Sequence, residues 1–166
     1  MNSWGWLLLA YIAAVTVPLF VIDIGSRRLP NRLVLPGYLV AAVSLVLVWV
    51  TDGDFSATVI PWSVLPAELI ALISGAAYML FLLLLSLTGG MGMGDVKLAG
   101  VLGIAAGLVD PTVSVLSPLL AFGLGGLASA VILIARRGTR TSRIPFGPFM
   151  LLGFWIAVAL GLLLPS

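Results

Sequence analysis

The sequence contains no cysteine and no histidine. Their absence removes disulfides, thiol nucleophiles, zinc sites of the Cys/His kind and the serine–histidine triad together. Charge is also scarce: 8% of the 166 residues are Asp, Glu, Lys or Arg, against roughly 25% in an ordinary soluble domain. Any chemistry must therefore come from Asp, Glu, Lys, Arg, Ser, Thr or Tyr. What is present is apolar. Hydrophobic residues make up 61% of the chain and the mean hydropathy is +1.25, which describes an integral membrane protein, read as a single domain over residues 1–166. The net charge of +2 does not point to nucleic acid, because the basic residues sit in short loops between apolar runs, where membrane topology accounts for them. Residues 1–22 have neither a basic n-region nor a small-x-small cleavage site, so they predict a retained helix rather than a signal peptide.

A membrane span needs about 20 apolar residues. Runs near 4–22, 33–50, 66–88, 96–109, 112–135 and 148–164 predict six helices, the fourth a short, tilted or incomplete span closed by Asp110-Pro111. Prolines 30, 36, 61, 66, 111, 118, 145 and 148 are expected mostly at helix ends, where a missing N–H costs least. The fold class is all-α, a polytopic helical bundle. Arg27, Arg28, Arg32, Lys97, Arg136, Arg137, Arg140 and Arg143 are all the basic residues, and this division puts them on one side. That side is cytoplasmic by the positive-inside rule. Asp52, Asp54, Glu68 and Asp110 fall on the other side, where both termini emerge.

Two acids break the pattern, Asp23 and Asp95, each at a cytoplasmic helix end beside basic residues. Asp23 closes the first helix, where a carboxylate faces the negative end of the macrodipole; a plain account is neutralisation by Arg27 or Arg28. Asp95 opens the fourth helix, where a plain account is an N-cap. A cap, however, does not call for Gly89, Gly90, Gly92 and Gly94 before it. Backbone that bare lets another chain approach closely, as an extended peptide substrate must. Two carboxylates within a few Å of each other share one proton. One can then act as general base for a water while the other, protonated, polarises a peptide carbonyl. This is aspartyl protease chemistry, and it requires no metal and no cofactor.

The residues resemble a known family. "GMGMGDVKLAG" is similar to the GxGD motif of the type IV prepilin peptidases and archaeal preflagellin peptidases, here Gly92-Met93-Gly94-Asp95 followed by Lys97-Leu98. "DIGSRRLPNRLVLP", from Asp23, resembles the family's other aspartate segment, and "RIPFGPFMLLG", from Arg143, the stretch before its last helix. The three motifs occur in family order over residues 23–153. The resemblance implies a membrane aspartyl endopeptidase of the prokaryotic plasma membrane that removes the basic leader of prepilin-like or preflagellin-like proteins at the cytoplasmic face. It implies that Asp23 and Asp95 are the catalytic pair, and that the partners are the prepilin substrate, membrane lipid and pilus or secretion assembly machinery. Larger family members carry an N-terminal cytoplasmic extension, often with CxxC pairs, associated with methylation; with the first helix starting near Met1 and no cysteine, the resemblance is to a short form lacking it.

Around the pair, Gly92 and Gly94 support the motif, and Lys97 either holds Asp95 ionised, meets a phosphate headgroup, assists substrate or simply snorkels. Arg27, Arg28 and Arg32 are mainly topology determinants. Pro145, Phe146 and Gly147 form either a re-entrant turn at a substrate cleft or an ordinary helix start. Gly103 and Gly107 form a small-xxx-small pair that predicts a central fourth helix, and Gly123, Gly125 and Gly126 either repeat that device or bend the fifth. Two rivals remain. A presenilin-like protease also uses GxGD, but its first aspartate follows tyrosine, whereas Ile22 precedes Asp23. A proton-coupled carrier would use both acids as a relay, but would place them near mid-bilayer.

Overall fold

The structure, a computed structural model, describes residues 4–26, 29–52, 65–89, 91–135 and 145–163. Arg27, Arg28, Asp54, Pro61, Gly90, Arg136, Arg137, Arg140 and Arg143, which figure in the sequence reading, lie outside the described residues. Six helices follow one another: α1 (Gly5–Ser26), α2 (Asn31–Asp52), α3 (Ala67–Leu87), α4 (Met93–Val109), α5 (Pro111–Ile134) and α6 (Gly147–Leu163). No strand occurs among the described residues.

Helices α1, α2, α3 and α5 are long and apolar enough to cross a membrane, and α6 is a shorter apolar helix. Only 17% of the most apolar stretch of α5 is buried inside the protein. Val17, Leu39, Leu119 and Ile134 are among the many large side chains left outside. A surface of that kind is far beyond what water tolerates on a folded protein, while helices satisfy their own backbone in lipid. The protein is an all-α, multi-pass membrane bundle.

Helix α4 is the centre. It touches each of the other five helices, and Val96, Leu98, Ala99, Val101, Leu102, Ala105 and Ala106 on it are all buried. Because lipid tails are as apolar as leucine, close backbone approach rather than hydrophobic burial has to hold such helices together. Gly103 provides that approach: a Cβ there would lie 2.7 Å from the Gly75 Cα and 2.7 Å from the Ser74 carbonyl oxygen. One turn further along, Gly107 meets Ala71 in the same way. In α5 Gly125 makes room for a side chain instead, with the Phe146 ring 3.0 Å from where its Cβ would be. Gly123 and Gly126 face open space, so two of that trio are not packing glycines.

Three differences from the sequence reading have physical reasons. Helix α1 runs past Asp23 to Ser26, whose hydroxyl donates to the Ile22 carbonyl at 2.7 Å and keeps the last turn wound. Helix α4 begins at Met93, because Gly92 is its N-cap and the Gly92 carbonyl accepts from Asp95 and Val96. Asp95 is therefore the third residue of the helix rather than its cap. Prolines 66 and 111 do stand at helix starts. Pro18, Pro36 and Pro118, by contrast, lie inside α1, α2 and α5, which a bundle in lipid permits because neighbours can satisfy the freed carbonyls. One turn before Gly37, the Tyr11 hydroxyl of α1 donates to the Leu33 carbonyl at 2.6 Å and ties α1 to this part of α2.

Candidate active site

The C-terminal end of α1 and the N-termini of α2, α4 and α6 gather at one end of the bundle. Asp23 sits in the last turn of α1, buried, with the helix dipole set against its charge. The compensation comes from the far end of the chain. The Gly147 N–H, at the start of α6, donates to Asp23 Oδ2 at 3.1 Å. This is one of the four N–H groups that every helix leaves unpaired at its start, and the positive end of the α6 dipole comes with it.

Gly147 has to be glycine for this contact, since a Cβ there would lie 2.7 Å from Asp23 Oδ2 and 3.4 Å from the Leu29 side chain. Pro145 and Phe146 lead straight into α6, with the Phe146 carbonyl accepting from Phe149 and Met150. The described part of this stretch, Pro145, Phe146 and Gly147, is thus a helix start, and it reaches the site through Gly147. The Phe146 ring also packs at a tilt on Phe122 of α5 at a centroid separation of 4.9 Å, and Phe122 meets Phe81 of α3 edge to face at 5.4 Å.

Asp95 is half-buried in the first turn of α4. Its Oδ2 accepts from the Gly92 N–H at 3.3 Å, the reciprocal half of a capping box, the other half being impossible because glycine has no side chain. Gly94 lets the segment lie against Leu29, 2.9 Å from where its Cβ would be. Gly89 is the one described glycine with φ in the left-handed region, at 80°, and it turns the chain out of α3. Asp23 lies near enough to Asp95 for the two carboxylates to repel each other. The structure therefore brings together Asp23, Asp95, Gly92, Gly94 and Gly147.

Lys97 turns elsewhere. Its Nζ donates to Asn31 Oδ1 at 3.0 Å, and its carbonyl accepts from the Tyr38 hydroxyl at 2.7 Å. It ties the start of α2 to α4. Asn31 and Tyr38 went unnoticed as site residues in the sequence, although Asn31 belongs to the Leu-Pro-Asn stretch after Asp23. Tyr78 of α3 also went unnoticed: it is buried, and its hydroxyl has no hydrogen-bond partner among the described residues. No sequence signal marks it, since a tyrosine in an apolar helix is commonplace. Among the described residues, no three His, Cys, Asp or Glu side chains gather as a metal site would require.

The profile of the type IV leader peptidase family matches residues 7–165. A prepilin leader peptidase/N-methyltransferase of Pseudomonas putida is 36% identical over 146 residues, which cover 86% of this chain and 46% of that protein. Proteins of the same description from Aeromonas salmonicida and Aeromonas hydrophila are 34% and 33% identical, each over 96% of this chain and 51% of their own length. The chain thus spans about half the length of these relatives. No solved structure matches it.

Proposed function

Since the chain belongs to the type IV leader peptidase family, we propose that it is an aspartyl endopeptidase that removes the basic leader of prepilin-like or preflagellin-like proteins at the cytoplasmic face of the plasma membrane. The observation that carries this reading is the pairing of Asp23 with Asp95, one fixed by the N-terminus of α6 and the other by the N-terminus of α4. Two helix N-termini directed at two acids make a site built to hold one net negative charge.

Asp95, in the first turn of α4 and half-buried, is the base. It takes a proton from a water as the water oxygen adds to the scissile carbonyl carbon. Asp23 has Oδ2 committed to Gly147, and its other oxygen carries the shared proton to the carbonyl oxygen. When the tetrahedral carbon collapses, the C–N bond breaks and the amine leaves with a proton from the pair. The bare, exposed backbone at Gly92 gives an extended peptide a surface to lie along, and the apolar flanks of the bundle suit a substrate whose mature part begins as an apolar helix.

The test is cleavage of a prepilin co-expressed with the wild type, Asp23→Asn and Asp95→Asn, followed by the mass of the product. General acid–base groups contribute about 10²–10⁴-fold each, so both variants should lose at least about 10²-fold with unchanged expression. Normal cleavage by either one sinks the shared-proton mechanism.

A further inference from the structure

Leu29 stands between the two segments that carry the acids, and the mechanism above gives it no part. Gly94 immediately precedes Asp95, and Gly147 supplies the N–H that holds Asp23. Leu29 lies against both glycines. Its Cβ is 2.9 Å and its Cα 3.6 Å from where a Cβ on Gly94 would be. Its Cδ2, two bonds farther out on the same side chain, is 3.4 Å from where a Cβ on Gly147 would be. One side chain therefore reaches from the first turn of α4 to the first turn of α6.

The near end of that side chain is firmly mounted on α4. Pro30 follows Leu29, and the residue before a proline is held to extended backbone. The Pro30 carbonyl accepts from Leu33 and Val34 as α2 begins. Asn31, the next residue, accepts from Lys97 of α4 at 3.0 Å. The entry to α2 is thus fixed to α4 at Gly94 and again at Lys97. From this mount the isobutyl group extends to Gly147, on the same bare face of that glycine that Asp23 Oδ2 occupies.

Resting on the peptidase reading, we propose that Leu29 is a positioning residue that sets the spacing of the two acids. Its backbone and Cβ follow α4, which carries Asp95, and its Cδ2 bears on the turn of α6 that holds Asp23. A proton passes between two groups only within hydrogen-bond reach, about 2.6–3.2 Å, and a misplacement of about 1 Å can cost about 10²-fold in rate. The length of one side chain is therefore a catalytic parameter, although Leu29 acts on the reaction only through the acids. Truncation to alanine separates its two contacts: the Cβ that meets Gly94 stays, and the Cδ2 that meets Gly147 is lost.

The experiment uses the full chain in lipid nanodiscs with a peptide of basic leader, glycine and about 20 apolar residues, enough for one span. Leu29→Ala is expected to lower kcat 10- to 100-fold and to leave KM within threefold. Leu29→Val, which also lacks a δ-carbon, should behave alike and replaces the alanine variant if that one fails to reach the membrane. Leu29→Met, flexible and long enough to reach Gly147, should restore kcat to within threefold of wild type. Leu45→Ala, which shortens another half-buried leucine packed on the core, should keep kcat within threefold. The proposal is overturned by truncations that keep kcat within threefold, by a loss confined to KM, by a methionine variant no better than alanine, or by an equal loss in Leu45→Ala. A second readout needs no cleavage. The chain has no cysteine, so in Asp23→Cys/Asp95→Cys a short bifunctional thiol reagent can bridge only the two acid positions. Adding Leu29→Ala is expected to change the bridging rate at least fivefold, and adding Leu29→Met less than twofold. A rate unchanged by Leu29→Ala overturns the proposal whatever the peptide does. A changed rate in a chain whose wild type cuts no peptide keeps Leu29 as the spacer and instead sinks the peptidase reading.

Discussion

At the residue scale, the question posed by Asp23 is why a carboxylate should end up at the wrong end of a helix. Its answer is Gly147, which brings the N–H of another helix to the acid. This was not legible in advance: the two residues are 124 positions apart, and no spacing rule links them. The link between Lys97 and Asn31, 66 positions apart, was hidden for the same reason. Asp95 was legible, because glycines crowd around it and its helix-start signal is local. Gly147→Ala should move Asp23 or push α6 away, since its methyl would lie 2.7 Å from the carboxylate. Cleavage is expected to fall at least about tenfold, by analogy with small displacements in other catalytic sites, while expression in membranes holds. Wild-type cleavage by that variant would mean that the Asp23–Gly147 contact does not position the acid.

At the scale of helices, apolar run length alone recovered all six elements, with ends displaced by a few residues. Which glycines pack was less legible, because a one-dimensional pattern does not say which side of a helix meets a neighbour. The Gly103 and Gly107 spacing marked the fourth helix as central without naming α3 as the neighbour those glycines meet, whereas the glycine cluster of α5 contains only one packing position. The contrast can be measured. Gly103→Leu should force α3 and α4 apart and lower thermal stability by at least the roughly 1–3 kcal/mol typical of overpacking. Gly126→Ala, which meets nothing within 4 Å, should be neutral or stabilise by up to about 1 kcal/mol from helix propensity. Equal effects of the two substitutions in a detergent melting assay would contradict the packing described for α4.

At the scale of the whole molecule, the native chain's lack of cysteine makes its orientation easy to read. Thr88 after α3 and Thr112 at the start of α5 are both exposed and lie at opposite ends of α4. With the basic loops facing the cytoplasm, Thr112→Cys should react with an impermeant maleimide added to intact cells. Thr88→Cys should react only after the membrane is opened. The reverse pattern would put the acid pair on the wrong face for a cytoplasmic leader. This orientation is the expectation from charge counts, which survive any small error in helix ends, and the labelling pattern is what tests it. Assembly was not legible in the sequence, because it depends on contacts between the first helix and the last.

That last contact also imposes an order in time. Asp23 is translated 124 residues before Gly147, roughly 6–25 s earlier at 5–20 residues per second. During this interval α1 enters the membrane with its acid still unaccompanied. On the proposed mechanism, the acid site is complete only once α6 has been made and docked, so a ribosome stalled before that point is expected to leave an inert membrane fragment rather than an unregulated protease.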